Sequence, residues 1–358
     1  MIAKLVKRGF GTLGAAAILV GSTALAGDYH TDGTLLCAQC HVMHYSQSHG
    51  YNADGSGFWT PIANGPTHYL LRDEINNLCL ACHDNNGFAP DVLGSTNTGN
   101  EPTSVRLGGY LNRLGGVGLD ATGHTLDSTE VAPGSDPAWS NPDGLKCTDC
   151  HHQHGYAGYG HPTGEQYRNL TSGPGNGSGL FVTYNNTAHG TQDLLMDVFE
   201  RASDAYDESD MDWNEPDITT SAIGAWCGGC HTNFHGTPGD ATTVGGVGGV
   251  DNWSEFLRHP DGGVDIGDLT GGHSSLAQFA GTGNKVKVMS ASGTWDGTVN
   301  DVTPTCISCH KAHGNGNAFG LIFRSGTGTV TENGDSNGAQ LENLCGQCHV
   351  QASFFNNP

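Results

Sequence analysis

Six Cys-x-x-Cys-His motifs run the length of this 358-residue chain and use all twelve of its cysteines. They stand at Cys37, Cys40 and His41; Cys79, Cys82 and His83; Cys147, Cys150 and His151; Cys227, Cys230 and His231; Cys306, Cys309 and His310; and Cys345, Cys348 and His349. The spacing is chemically specific. Two thiols separated by two residues reach the two vinyl groups on one edge of a haem and form thioethers, and the histidine that follows lies under the iron. Paired Cys-x-x-Cys ligands also bind zinc, a single pair in a βαβ setting reads as a redox dithiol, and an even cysteine count in a secreted chain suggests disulfides. None of these explains a histidine after every second cysteine. The motifs therefore predict six covalently bound haem c groups, with His41, His83, His151, His231, His310 and His349 as proximal iron ligands.

Six large apolar cofactors change what the rest of the chain has to supply. With 56 glycines and 36% apolar residues, the polypeptide alone has little to build a core from. The expected fold is a multihaem cytochrome c: mostly irregular coil, short helices at the attachment sites, few strands, and a core formed by six stacked haems. Folding should depend on cofactor insertion, as it does in small metallo-domains.

The N-terminus reads as an export signal. Lys4, Lys7 and Arg8 precede an apolar small-residue stretch from Gly9 to Val20, and Ala24-Leu25-Ala26 matches a cleavage site. Residues 1–26 are expected to be a cleaved signal peptide and 27–358 a single hexahaem domain, secreted through the periplasm to the outer cell surface or beyond. No later stretch is long and apolar enough to span a membrane. The formal net charge of −22 excludes nucleic acid as a partner, since nothing would neutralise phosphates. It favours cationic partners, metal ions and positively charged mineral or electrode surfaces, alongside other redox proteins. The acidic stretch from Asp204 to Asp217 lacks the pattern of a calcium loop and reads as a solvated segment.

The 19 histidines exceed what six proximal positions need, so a second imidazole is available for every iron. His44, His154, His235 and His313 follow a proximal histidine by three or four residues. At that spacing both imidazoles leave one face of a helical turn, and the second cannot circle its own porphyrin to reach the far side of the same iron. It must serve a different haem nearby, which implies haems packed almost in contact. His124 and His259 are the next distal candidates, and His273 is in reserve. His68, His161 and His189 are further alternatives, but with His30, His49 and His152 they read more readily as surface or supporting groups. Arg72, Arg168 and Arg324 lie downstream of His-x-x-His sites and suit either propionate pairing or the surface. The first and last motif pairs resemble each other: each opens with Cys-x-x-Cys-His-x-x-His and closes with Asn-Leu-Cys-x-x-Cys-His, at Asn77-Leu78-Cys79 and Asn343-Leu344-Cys345. This looks like a repeated two-haem unit.

Several segments resemble the extracellular hexahaem cytochromes of the OmcS type. They are Cys40-His41-Val42-Met43-His44, Trp226-Cys227 with His231-Thr232-Asn233-Phe234-His235, Leu257-Arg258-His259-Pro260, and Cys306 to His313 with its two histidines. The motif order matches across all six sites, while the loops match poorly and His152 is an addition. The resemblance implies bis-histidine ligation throughout and assembly into a conductive filament. In it, His44 would be donated to the iron held by His310 in a neighbouring subunit, making the chain a head-to-tail homopolymer. No catalytic residue is expected, because no motif advertises an open iron position. A monomeric periplasmic or cell-surface electron carrier is the alternative, and a multihaem reductase a more distant one.

Overall fold

The computed structural model describes residues 30, 37–41, 68–84, 89, 91–93, 108–111, 123–154, 165–166, 169–177, 182–184, 222–234, 266, 276–282, 286, 288, 303–314, 318–322 and 344–349. Most of this is coil. The helices are short and cluster at the motifs: α1 Cys37–Cys40, α2 Ile75–His83, α3 Cys147–Cys150, α4 Ala222–Cys227, α5 Leu276–Thr282 and α6 Cys306–Cys309. Glu165–Gln166 (β1) and Thr183–Tyr184 (β2) pair as a two-stranded antiparallel sheet. Among the described residues no helix is long and apolar enough to cross a membrane. Residues 1–26, with the expected signal peptide, lie outside the described residues, as do 204–217.

α1, α3 and α6 are short because each is one turn closed on a motif, with little to extend it. α3 and α6 carry capping boxes. The N–H of Lys146 is taken by the Asp149 side chain and that of Thr305 by Ser308, so the first orphan donors of each turn are satisfied on the spot. Both turns then end in extended backbone at the proximal histidine, His151 (φ −119°) and His310 (φ −116°).

That extended exit is met by a returning strand segment, and the same small module occurs three times. His41 bridges Leu71, His151 bridges Leu170, and His310 bridges Leu321, each antiparallel. One residue on, the N–H of Arg72, Thr171 or Ile322 donates to the carbonyl of Cys40, Cys150 or Cys309 at 2.9, 2.8 and 2.9 Å. One residue before each leucine the backbone is left-handed, at Leu70 (φ 60°), Asn169 (φ 53°) and Gly320 (φ 64°), and in the first and fifth motifs' modules so is the residue before that, Tyr69 (φ 60°) or Phe319 (φ 58°). The connecting loops differ in length between the three modules, which hides the repeat in the sequence. Its residues are those of the first, third and fifth motifs, the ones that carry His-x-x-His.

A side-chain clamp joins the second motif to the third. Asn76, buried in α2, donates to the Leu145 carbonyl and to Asp127 Oδ1, both at 2.9 Å, and accepts from the Cys147 N–H at 3.0 Å. Near the fifth and sixth motifs, Ile266, Phe279, Val286, Val288, Ile322 and Leu344 form an apolar cluster against Leu321, Cys309 and Cys348. Full burial of such side chains contributes about 1.5–3 kcal/mol each. Leu78 and Leu344, the equivalent leucines of the Asn-Leu-Cys repeat, are both buried.

Candidate haem centre

Each motif is closed by one helical turn. The histidine N–H donates to the carbonyl of the first cysteine at 2.8 Å for His41 and His349, 2.9 Å for His151 and His310 and 3.0 Å for His231; at the second site the turn belongs to α2 itself. Residues i, i+3 and i+4 share a helix face, so both sulfurs and the imidazole come to one side. No two of the twelve sulfurs are joined in a disulfide. Among the described residues, no three His, Cys, Asp or Glu side chains converge as a zinc site requires.

The sulfurs themselves suit thioethers. Burial pushes the Cys230 and Cys348 thiols up to about 12 and raises Cys150 as well. Cys79 is raised by its hydrogen bond to Cys147 and by burial. Cys147 moves the other way, lowered by its hydrogen bond to Cys79.

The proximal histidines face second imidazoles. His41 and His154 have ring centroids 5.9 Å apart, His83 and His30 6.2 Å, His151 and His313 6.1 Å, and His231 and His124 6.0 Å. Two imidazoles on opposite sides of one metal have centroids about 6 Å apart, from a metal–nitrogen bond of about 2 Å and roughly 1 Å more to each ring centre. His152 also lies 6.3 Å from His154, but these two belong to one short segment rather than to opposing walls.

The ring orientation fits as well. Nδ1 is hydrogen-bonded to a backbone carbonyl in His30 (Gln153, 3.0 Å), His41 (Tyr69, 3.1 Å), His124 (Ala312, 2.5 Å), His231 (Pro133, 2.9 Å) and His310 (Phe319, 2.8 Å). A ligating histidine donates its other N–H in this way, which fixes its tautomer and aim; Nε2 is then the ligand atom. In two of the three modules the carbonyl comes from a left-handed residue of the return, Tyr69 or Phe319, so the backbone twist there presents an acceptor to the proximal ring. Burial lowers His124, His310 and His154 and takes His313 down to about 3, with His151 and His124 adding to the effect at His313. Neutral imidazole, the form that ligates metal, is thereby favoured. His124 and His310 lie deep among protein atoms while each keeps an accessible ring face.

His313 and His124 share one support. The His313 N–H donates to Gly108 at 2.6 Å, the His124 N–H to His313 at 2.9 Å, and the Tyr110 N–H to Gly314 at 2.7 Å. Gly314 bridges both Gly109 and Gly123. A Cβ on Gly123 would sit 2.3 Å from the Gly314 Cα, and one on Gly109 would sit 2.0 Å from the Gly314 oxygen. Three backbone segments meet here more closely than any side chain permits, and they aim histidines at two different sites.

The sites follow one another in space as in sequence. The Cys79 thiol is hydrogen-bonded to Cys147 and feels Cys40, Cys150 feels Cys230 and Cys227, and α4 packs on α6. Trp226 Nε1 donates to the Thr171 carbonyl at 2.6 Å, tying the fourth motif to the third module.

Of the candidates named from sequence, His124, His154 and His313 stand opposite proximal rings. His44, His235, His259 and the reserve His273 lie outside the described residues, as do His49, His161, His189, Arg168 and Arg324. His30, read as a surface or supporting group, has its ring 6.2 Å from that of His83 and its Nδ1 anchored on Gln153. Arg72, left open between propionate pairing and the surface, is buried at 5% exposure.

No family model matches the chain, and no curated protein matches it. Among solved structures it is similar to the OmcS nanowires of Geobacter sulfurreducens seen by cryo-EM, at 18% identity and a TM-score of 0.41 over 90% of this chain and 94% of that one. It is also similar to the outer membrane cytochrome S filament of Geobacter sulfurreducens, at 19% identity and a TM-score of 0.39 over 84% of each chain. The case for function rests on the histidine pairs.

Proposed function

We propose that this chain is a secreted hexahaem c-type cytochrome that conducts electrons along closely spaced bis-histidine sites and polymerises head to tail into a filament. Haem c, when bound, supplies one-electron exchange between ferric and ferrous iron. The residues do the rest. The paired cysteines fix each cofactor covalently. His41, His83, His151, His231, His310 and His349 hold the proximal side. His154, His30, His313 and His124 hold the distal side of the first, second, third and fourth sites. Their Nδ1 anchors keep the rings aimed, so ligation need not change with charge state. Two imidazoles leave no coordination position for a substrate, so the role is conduction rather than catalysis, toward extracellular metal oxides, electrodes or other redox proteins.

The observation that carries the filament reading is a relay. His154 of the third motif faces His41 of the first, and His313 of the fifth faces His151 of the third. The second histidine of each module thus serves the module before it. Continued by one step, the same relay would pair His44 of a first module with His310 of a fifth, and we place that pairing between neighbouring subunits. Each is completed by another copy. A contact of this kind does not close on itself and generates an open polymer, and a coordination bond across it makes the polymer long-lived. By the same logic the sixth site, at His349, takes its ligand from the segment upstream of the fifth motif, where His259 and His273 lie, as His30 and His124 precede the first and third.

The test is cryo-electron microscopy of the haem-matured secreted protein beside its His44→Ala variant. Wild-type filaments with a dispersed variant, in which one site per chain turns high-spin, support the reading. A wild-type monomer with six low-spin haems would replace it with the soluble-carrier alternative.

A further inference from the structure

The inner positions of the six motifs are Ala38-Gln39, Leu80-Ala81, Thr148-Asp149, Gly228-Gly229, Ile307-Ser308 and Gly346-Gln347. One carries a formal charge: Asp149. It is held in place, its Oδ2 accepting 2.8 Å hydrogen bonds from Asn141 Nδ2 and from the Lys146 N–H. The Lys146 ammonium is engaged elsewhere, 2.5 Å from Asp127 Oδ1. Asp149 stands between Cys147 and Cys150, in the turn that carries both attachment points of the third site.

At the first site the sign is reversed. Arg72 is buried. Its Nε donates to the Ala38 carbonyl at 2.6 Å and its backbone N–H to Cys40 at 2.9 Å. The same place in the other two modules is filled by the uncharged Thr171 and Ile322, so the cation is particular to the first site rather than a requirement of the module.

Reduction of a site adds one electron and one negative charge, with no bond formed or broken. A fixed carboxylate nearby opposes that change and a guanidinium favours it, strongly where water is excluded. We infer that Asp149 and Arg72 set opposite electrostatic biases along the chain. Asp149 lowers the reduction potential of the third site, and Arg72 raises that of the first. An electron then rests more readily at the first site than at the third, a difference that ligand identity, the same at both, does not supply. This rests on the reading of six bis-histidine haems given above.

The test is a spectroelectrochemical titration of the secreted holoprotein, read by optical spectra and low-spin EPR, for wild type, Asp149→Asn, Asp149→Glu, Arg72→Gln and Arg72→Lys. Asp149→Asn is expected to move one of the six one-electron waves to higher potential and Arg72→Gln to move one to lower potential. Asp149→Glu and Arg72→Lys keep the charge and should restore the wild-type curve. Asp149→Asn stands alone as the test should Arg72→Gln fail to mature. Waves that do not move, that move alike in both variants, or that move as far in Asp149→Glu as in Asp149→Asn would overturn the inference. Haem stoichiometry and the low-spin spectrum of the wild type report separately on the six-haem reading.

Discussion

Gly123→Ala tests the junction that aims two distal histidines at once. The added Cβ would lie 2.3 Å from the Gly314 Cα and 2.4 Å from the His313 carbonyl oxygen, where ordinary contact begins at 3.4 Å. Both obstacles are backbone, so no rotamer change relieves the clash, and the two segments must part by roughly 1 Å to restore van der Waals separation. Gly123 has no left-handed φ, so the effect is steric rather than conformational. Overpacking typically costs about 1–3 kcal/mol, and an immovable target puts this case at the upper end. The displacement falls on the His124 N–H bond to His313 and the His124 Nδ1 bond to Ala312. A metal–imidazole bond of about 2 Å does not survive a shift of half its length. Two sites, the third through His313 and the fourth through His124, should lose low-spin ligation together. The assay is EPR and visible spectroscopy of the secreted holoprotein, with a denaturation midpoint alongside. Gly281→Ala in α5 is the matched control, since its Cβ would meet nothing within 4 Å and alanine gains up to about 1 kcal/mol of helix propensity. A Gly123→Ala protein with six low-spin haems and an unchanged midpoint would refute the reasoning, for the two segments would then not be in contact in the loaded protein.

Three further outcomes are expected. His30→Ala should convert a single site, the second, to high-spin and leave the rest intact; six low-spin haems in that variant would remove His30 from the ligand set. Asn76→Ala strands the Cys147 N–H, while the Leu145 carbonyl keeps its bond from the Asp127 N–H; with about 1–3 kcal/mol for one group left unpaired, the holoprotein should lose about 1–3 kcal/mol in chemical denaturation. Asp127 is lowered chiefly by its hydrogen bond to Lys146, with Asn76 assisting. A depressed folded-state value means stability that is present above the ordinary 3.8 and lost as pH falls through the lowered one. Because the side chain is 63% exposed, the contribution is below about 1 kcal/mol. The midpoints of wild type and Asp127→Asn should accordingly differ slightly at pH 7 and converge by acid titration; a gap that widens toward low pH would contradict the assignment.

The attachment turns were legible because their chemistry is local. A cysteine, a second at i+3 and a histidine at i+4 determine one turn whatever surrounds them. The expectation that His154 and His313 leave the same helical face as their proximal histidines does not hold, because the backbone is already extended at His151 and His310; their rings nonetheless lie against His41 and His151, of other motifs. The returning strands were not legible. Leu71, Leu170 and Leu321 occupy one position in the module, but they follow loops of unequal length, and the residues that turn the chain into them, Leu70, Asn169 and Gly320, with Tyr69 and Phe319 before two of these, share no side-chain signature. Nothing about a tyrosine or a phenylalanine announces a left-handed backbone. Gly123 and Gly314 were invisible for the opposite reason: in a chain with 56 glycines, two that are required by close approach do not stand out. His30 was missed because a histidine without a neighbouring motif gives no local clue, and its partner His83 is supplied by a different element.

On the proposed ligand set, the first and third sites draw on the next His-x-x-His module, while the second and fourth draw on a segment lying upstream of a module, as His30 and His124 do. Repeated from subunit to subunit, as in a one-dimensional array of like units, the same rule would supply the iron at His310 from His44 of a neighbouring copy. A monomeric carrier would need some special segment to cap His310 and another to occupy His44. A polymer needs neither, because the rule that builds the inside of the subunit also builds the contact between subunits. The electrostatic asymmetry between Arg72 and Asp149 then repeats with the subunit, so whatever polarity one copy possesses, the filament inherits in register.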